Sequence, residues 1–423
     1  MEGQLIEISE LERIIEETLL KAADSYITDN AFGCAAEIYE ALGYKEEAQE
    51  LRKKEAELYE KRRLFEYAAI TYEKIKNLEK AIEMWERYAE EMIKNNLFDR
   101  AAMAHEYIAT LHEKLGNKEE AKRFLKIAGD LYMRIGQFEN AVEVYKKAGD
   151  FKKVKKICER MIKILRFKAF FTFNPYKRAK IYEKIAEINR FLGKEDKAKK
   201  FYRSAAKILE KIGELSLAAE YYEKAGDLKM AIYLLEEFAE ENIKKGSLNI
   251  AAECCENIAR LYKKLNRGKM AKRSLMKSGE LYTRIGLYTL AAKVYEDAGE
   301  IEKAKWCLER EIERLKREIS LASDPYDRVM ACKKLAEIYE NKLIGDDRKL
   351  KEAWEEVGKL SMEYGLRYKN TFMYREAAYA FKKAGDLKNA KKALLLLAIE
   401  YLEAGAYSLA AESYREAKEI ENY

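Results

Sequence analysis

Only two side chains in this 423-residue sequence are imidazoles, His105 and His112. Seven residues apart on one expected helix, they lie two turns apart on the same face. Such a pair, alone or with a nearby thiol, could hold a transition metal. The expected reading is instead a packed or half-exposed aromatic position, because the matching positions of a duplicated block carry Cys255 and Tyr262. The six cysteines, Cys34, Cys158, Cys254, Cys255, Cys307 and Cys332, show no CxxC spacing and fall at apolar or small positions, so buried free thiols are expected. Cys254 and Cys255 are adjacent, and a bridge between neighbours on a helix would be strained. No HExxH, GxSxG or GxxxxGK[ST] pattern and no glycine-rich phosphate loop occurs. Asp and Glu pairs recur wherever a helix surface is charged and carry no signal of their own. No catalytic set, metal or cofactor is therefore expected, and the chain does not read as an enzyme.

The element that must position everything else is a duplication. Ala56 to Leu165 aligns with Ala206 to Leu315 at an offset of 150 without a gap, with 46 of 110 positions identical. The two prolines, Pro175 and Pro325, are also 150 apart. Repetition on this scale identifies an array of stacked units, in which each helical hairpin buries its apolar face on its neighbours. One segment breaks the symmetry. Phe167, Phe170, Phe171 and Phe173 stand beside Pro175, whereas Lys316 to Tyr326 contains no Phe. A loop that gained aromatics in one copy suggests a contact patch, for a partner or a lipid surface, or a longer helix end packed on its neighbour.

Composition agrees with an all-α array. Charged residues make up 37% of the chain, and two prolines are too few to interrupt many helices. Few His and abundant Lys, Glu, Ile and Tyr fit a thermophilic prokaryote. A net charge of +6 from 81 basic and 75 acidic residues is too small and too spread for a nucleic-acid footprint. The start is acidic with no apolar run behind it, and no stretch reaches 18 apolar residues. The longest run, Ala393 to Ile399, is flanked by charge. A cytoplasmic chain without a transmembrane segment is the expectation.

Inside the 150-residue unit a shorter motif recurs, Ala-Ala-x-x-Tyr, often followed by Lys-Ala-Gly-Asp. Examples are Ala141 to Asp150, Ala218 to Asp227 and Ala377 to Asp386. Small Ala residues let two helix backbones approach, and the aromatic ring four residues later fills the space on the same face. Gly then stops the helix in a left-handed conformation and Asp caps the next one. The series Gly129, Tyr132, Gly136, Phe138, Ala141, Tyr145, Ala148 and the series Gly279, Tyr282, Gly286, Tyr288, Ala291, Tyr295, Ala298 resemble the tetratricopeptide repeat. The proline usual at the end of that repeat is absent, and spacings alternate between 33 and 40. Long helices with Ala-Gly-Asp turns look more like the soluble NSF-attachment-protein type of tetratricopeptide-like solenoid.

The resemblance implies an all-α, right-handed α-α superhelix. Punctuation by Gly, Asn-Asn, Asp and Pro gives about 22 helices in about 11 hairpins, in a single elongated solenoid over 1–423 with units 1–55 (partial), 56–205, 206–364 and 365–423 (partial). Nine extra residues fall between 341 and 376, with longer loops expected at 345–347 and 365–371. In tetratricopeptide arrays the first helix of each hairpin lines a concave groove that holds peptides. Carried over, the groove positions are Arg123, Lys126, Asp130 and Arg134, then Arg273, Lys277, Glu280 and Arg284. Arg123/Arg273 and Arg134/Arg284 coincide at the 150 offset, and arginine suits bidentate capture of carboxylates. The family's peptide-clamp asparagine is not matched. The expected function is a non-enzymatic scaffold holding a partner protein or peptide in that groove. The alternative is an adaptor on a nucleic-acid or membrane surface, using basic patches and Phe167 to Phe173.

Overall fold

The computed structural model describes residues 7–420, and among them every regular element is an α-helix. The twenty-two helices run α1 (Ile8–Thr28), α2 (Phe32–Leu42), α3 (Lys45–Lys61), α4 (Phe65–Lys74), α5 (Leu78–Lys94), α6 (Phe98–Lys114), α7 (Lys118–Arg134), α8 (Phe138–Lys147), α9 (Phe151–Phe170), α10 (Pro175–Phe191), α11 (Glu195–Lys211), α12 (Leu215–Lys224), α13 (Leu228–Lys244), α14 (Leu248–Lys264), α15 (Gly268–Arg284), α16 (Tyr288–Asp297), α17 (Ile301–Leu321), α18 (Pro325–Tyr339), α19 (Asp347–Tyr368), α20 (Thr371–Ala384), α21 (Leu387–Glu403) and α22 (Tyr407–Glu419). Consecutive helices pack on one another within each unit, as repeated helical hairpins require.

The repeated motif does the packing its spacing implies. Ala218, Ala219, Ala291, Ala292, Ala377 and Ala378 are all buried, and the rings of Tyr222, Tyr295 and Phe381 four positions on from the first Ala are buried beside them. Helix and ring come close at Gly279, where a Cβ would sit 2.6 Å from the Tyr295 ring. Gly358 and Gly365 give the same room to Phe381 and Tyr374. Most turns follow one recipe, a left-handed residue and then the next helix. Gly149 and Gly385 take φ of 76° and 79°, and Asp150 and Asp386 accept from Lys153 N and Asn389 N, each at 3.1 Å. Asp227 departs from the recipe: its carboxylate takes Arg203 Nε at 2.5 Å and Nη2 at 2.8 Å and leaves the helix end uncapped.

The tyrosines have a second role that the sequence pattern did not announce. Tyr72 donates to Glu60 at 3.1 Å and Tyr222 to Glu210 at 2.6 Å. Tyr132 donates to Glu106 and Tyr282 to Glu256, both at 2.8 Å. Each pair recurs at the 150 offset. A hydroxyl at the rim of a buried ring thus finds a charged acceptor, the stronger kind of hydrogen bond.

Two expectations are corrected. The segment 365–371 is not a long loop, because α19 runs to Tyr368 and buries Gly365 against the Tyr374 ring. The extra residues are taken up instead by 340–346 and the 22-residue α19. Cys34 is exposed, unlike the other five cysteines, because the buried side of α2 is made by Ala35, Ala36 and Ile38.

Two compact units are present, with borders other than those of the sequence repeat. One comprises the chain up to Ile135 together with Arg314 onward, and the other is Gly136–Glu313. Within the first, α1 packs on α21 and α22, and α2 packs on α22.

Candidate interaction surfaces

Arg123, Lys126 and Arg134 lie on one face of α7, and Arg273, Lys277 and Arg284 on one face of α15; all six are exposed. The two rows differ in what holds them. Arg123 Nη1 donates to Glu120 at 3.2 Å, and the Arg134 guanidinium lies 4.1 Å from the centre of the Phe98 ring. At the 150 offset those two partners are replaced by Met270 and Leu248. Among the described residues Arg273, Lys277 and Arg284 make no ion pair or ring contact. The cations of α15 are thus held out in water without an internal acceptor, and Glu280 is the acidic residue one turn from Lys277 on the same face.

The second surface is the end of α9 and the turn to α10. Phe167, Phe170, Phe171 and Phe173 are 69%, 81%, 57% and 93% exposed, so they form a patch and not a packed helix end. Phe171 is the hub, with ring centres 4.8 Å from Phe167 and 5.2 Å from Phe170. The cause is local. The 20-residue α9 is longer than the 17-residue α11 and α13, and its last buried side chain is Ala169. Asn174 then accepts from Lys177 N at 2.9 Å, with Pro175 in the first helical turn, and α10 starts. The sequence carries a charge signal for this patch. Residues 160–182 carry seven Lys or Arg and no acidic residue, whereas 310–332 carry five basic and five acidic residues.

The histidines fill a packed site. His105 is buried, and the Phe124 ring stacks on both imidazoles, with ring centres 5.7 Å from His105 and 5.4 Å from His112. Burial pushes the His105 imidazole down to about 4, since no acceptor meets its Nδ1 to offset the loss of water. All three members of the stack change together in the second copy, to Cys255, Ser274 and Tyr262. Burial likewise pushes the Cys254 thiol up to about 11, far from the thiolate a metal would need. Among the described residues no group of three or more His, Cys, Asp or Glu side chains could hold a metal ion. No described helix is long and apolar enough to cross a membrane.

A soluble NSF attachment protein model matches residues 174–320, and a tetratricopeptide repeat model matches residues 127–148. The first match begins inside the turn that follows the phenylalanine patch. A comparison with curated proteins finds no match. Among solved structures, the chain is similar to BtubC from P. vanneervenii, with 19% identity over 48% of this chain and 87% of that one and a TM-score of 0.28. Similarity extends to a putative kinesin light chain with nearly identical tetratricopeptide-like repeats from Podospora anserina. There the identity is 16%, over 46% of this chain and 99% of that one, with a TM-score of 0.29. The C-terminal part of a tetratricopeptide repeat-containing protein from Cytophaga hutchinsonii matches at 17% identity, over 65% and 94%, with a TM-score of 0.26.

Proposed function

We propose that this tetratricopeptide-like solenoid is a non-enzymatic scaffold that binds an acidic segment of a partner protein, with Arg273, Lys277 and Arg284 as the capture row. The observation that carries the reading is the loss, in the second copy alone, of the two groups that occupy the first copy's arginines. An exposed arginine without an acceptor retains its full fork of donors for a carboxylate, and a row spaced along one helix suits an extended or helical peptide.

The test uses an acidic, glutamate-rich peptide as probe, read by fluorescence anisotropy. Replacing Arg273, Lys277 and Arg284 with Ala leaves melting nearly unchanged, because each exposed charge contributes about 0–1 kcal/mol. Peptide affinity falls tenfold or more, since one charge-assisted hydrogen bond contributes about 1.5–3 kcal/mol. Replacing Arg123 and Arg134 has the smaller effect on the peptide. Equal binding by the triple variant and the parent sinks the assignment.

A second reading has its own observation. The exposed phenylalanines with a basic collar suit an anionic membrane surface, where aromatic rings enter the interface and each nearby Lys or Arg adds about 1 kcal/mol. Co-sedimentation with phosphatidylserine vesicles, lost on replacing Phe167, Phe170, Phe171 and Phe173 with Ser, is the expected result. Equal sedimentation by that variant, or no preference over phosphatidylcholine, refutes it.

A further inference from the structure

A row of cations selects for charge alone, but a cavity at the end of α15 adds an apolar element. Thr283, Tyr295, Glu302, Lys303 and Trp306 line a space of about 350 Å3 between α15, α16 and the start of α17. Ligand clefts run from about 300 to 1,000 Å3, so this one has room for a single large side chain. Tyr295 is buried, whereas Trp306 is 44% exposed. The Tyr288 ring meets Trp306 edge-on at 6.2 Å, and the Arg310 guanidinium lies 5.3 Å from the indole centre. An indole steadied by a ring and a guanidinium, yet open to water, offers apolar area at little cost in side-chain order. Glu302 and Lys303 offset one another in the lining, so the cavity itself favours neither sign of charge.

The arrangement belongs to the second copy. Thr283, Glu302 and Trp306 stand where the first copy has Met133, Lys152 and Lys156. On α16 and the turn before it, exposed Leu290 and Leu287 replace Asn140 and Gln137. The lysine shared by both copies also sits differently. Lys153 Nζ lies 4.5 Å from the Tyr145 ring centre and donates to its hydroxyl at 3.1 Å, whereas Lys303 Nζ stands 5.6 Å from the Tyr295 ring centre. The copy whose α15 cations lack internal partners is thus the copy that turned polar positions apolar around this cavity. Thr283 directly precedes Arg284, so the cavity adjoins the C-terminal end of the row. From Arg273 to Arg284 the helix advances about 16 Å. An extended peptide covers that length in about five residues.

We propose that the acidic segment carries one aromatic anchor at its end, and that this side chain seats in the cavity against Trp306. The proposal rests on the reading of Arg273, Lys277 and Arg284 as the capture row. The probes are fluorescein-labelled peptides of five glutamates, with Phe added at one end, Phe added at the other, or Ala in its place. By anisotropy the full chain binds the better Phe peptide at least tenfold more tightly than the Ala peptide. Of the three tryptophans, Trp85 and Trp354 are 3% and 1% exposed, so iodide quenching of the intrinsic fluorescence reads Trp306. An unlabelled Phe peptide shields it from iodide, and the Ala peptide does not. Trp306→Lys installs the first copy's residue at an exposed position. It removes the preference for Phe, while the helical signal and the affinity for the Ala peptide stay as in the parent. Replacing Arg273, Lys277 and Arg284 with Ala weakens both peptides and keeps the preference. Equal affinity of the parent for Phe and Ala peptides, or a preference that survives in Trp306→Lys, overturns the cavity assignment and leaves the row standing. A row variant that binds both peptides like the parent overturns the row, while a Phe preference lost in Trp306→Lys still supports the cavity. A parent that binds neither peptide overturns both.

Discussion

Acid should weaken this protein through one side chain, and the size of the effect follows from its burial. His105 has an ordinary value of 6.5, and the folded chain holds it at about 4. Between those values the unfolded chain binds a proton that the folded chain does not. Stability therefore rises with pH across this window and is lost as pH falls from about 6.5 toward 4. The full separation corresponds to about 3 kcal/mol, of which about 2.5 kcal/mol is gone at pH 4.5. Carboxylates titrate nearby, so the measurement must be differential. His105→Cys installs the residue found at the matching position of the second copy, Cys255, which is buried there and has its thiol pushed up. Urea unfolding of parent and variant at pH 7.0, 6.0, 5.0 and 4.5 gives the gap between them at each pH. That gap should move by about 2.5 kcal/mol in favour of the variant as pH falls to 4.5. Because the chain has only two histidines, the imidazole resonances offer an independent reading. One of them should hold its neutral position until pH approaches 4. A gap constant with pH, or two resonances that both move near 6.5, would refute the reasoning.

Two further outcomes are expected. Gly279→Ala brings a Cβ to 2.6 Å from the Tyr295 ring, so it should destabilise by about 1–3 kcal/mol in urea unfolding despite alanine's better helix propensity, and a gain in stability would show that the ring can move. Lys76 holds φ of 60°, and its counterpart in the second copy is Gly226, so Lys76→Gly should stabilise by about 1 kcal/mol in the same assay, with a loss pointing to a lysine contact that outweighs backbone strain.

The fold was legible because its packing is local and repeated. An Ala pair with an aromatic residue on the same face, closed by Gly, states both where two helices touch and where each ends, and the offset of 150 states it twice. Pairings at fixed separations were present in the same lines but needed the structure to be seen: Tyr72 with Glu60 and Tyr132 with Glu106 are 12 and 26 residues apart, distances that no helix period marks. The candidate site was legible only as positions. Matching Arg123 with Arg273 located a face, while the two rows differ in what surrounds each: Glu120 against Met270 is a difference at i,i+3 on one helix, whereas Phe98 meets Arg134 only once α6 packs on α7. Least legible was the meeting of the chain ends, because Tyr414 and Glu16 are 398 residues apart and no periodicity links them. Yet the sequence contained its trace. A helix covered by two neighbours keeps a polar stripe, and Ala393 to Ile399 has none. An apolar run too short for a bilayer and lacking a wet face implies a third helix over it. In this chain that cover is α1, and the buried Lys391 states what that helix must bring, a carboxylate at the position of Glu12.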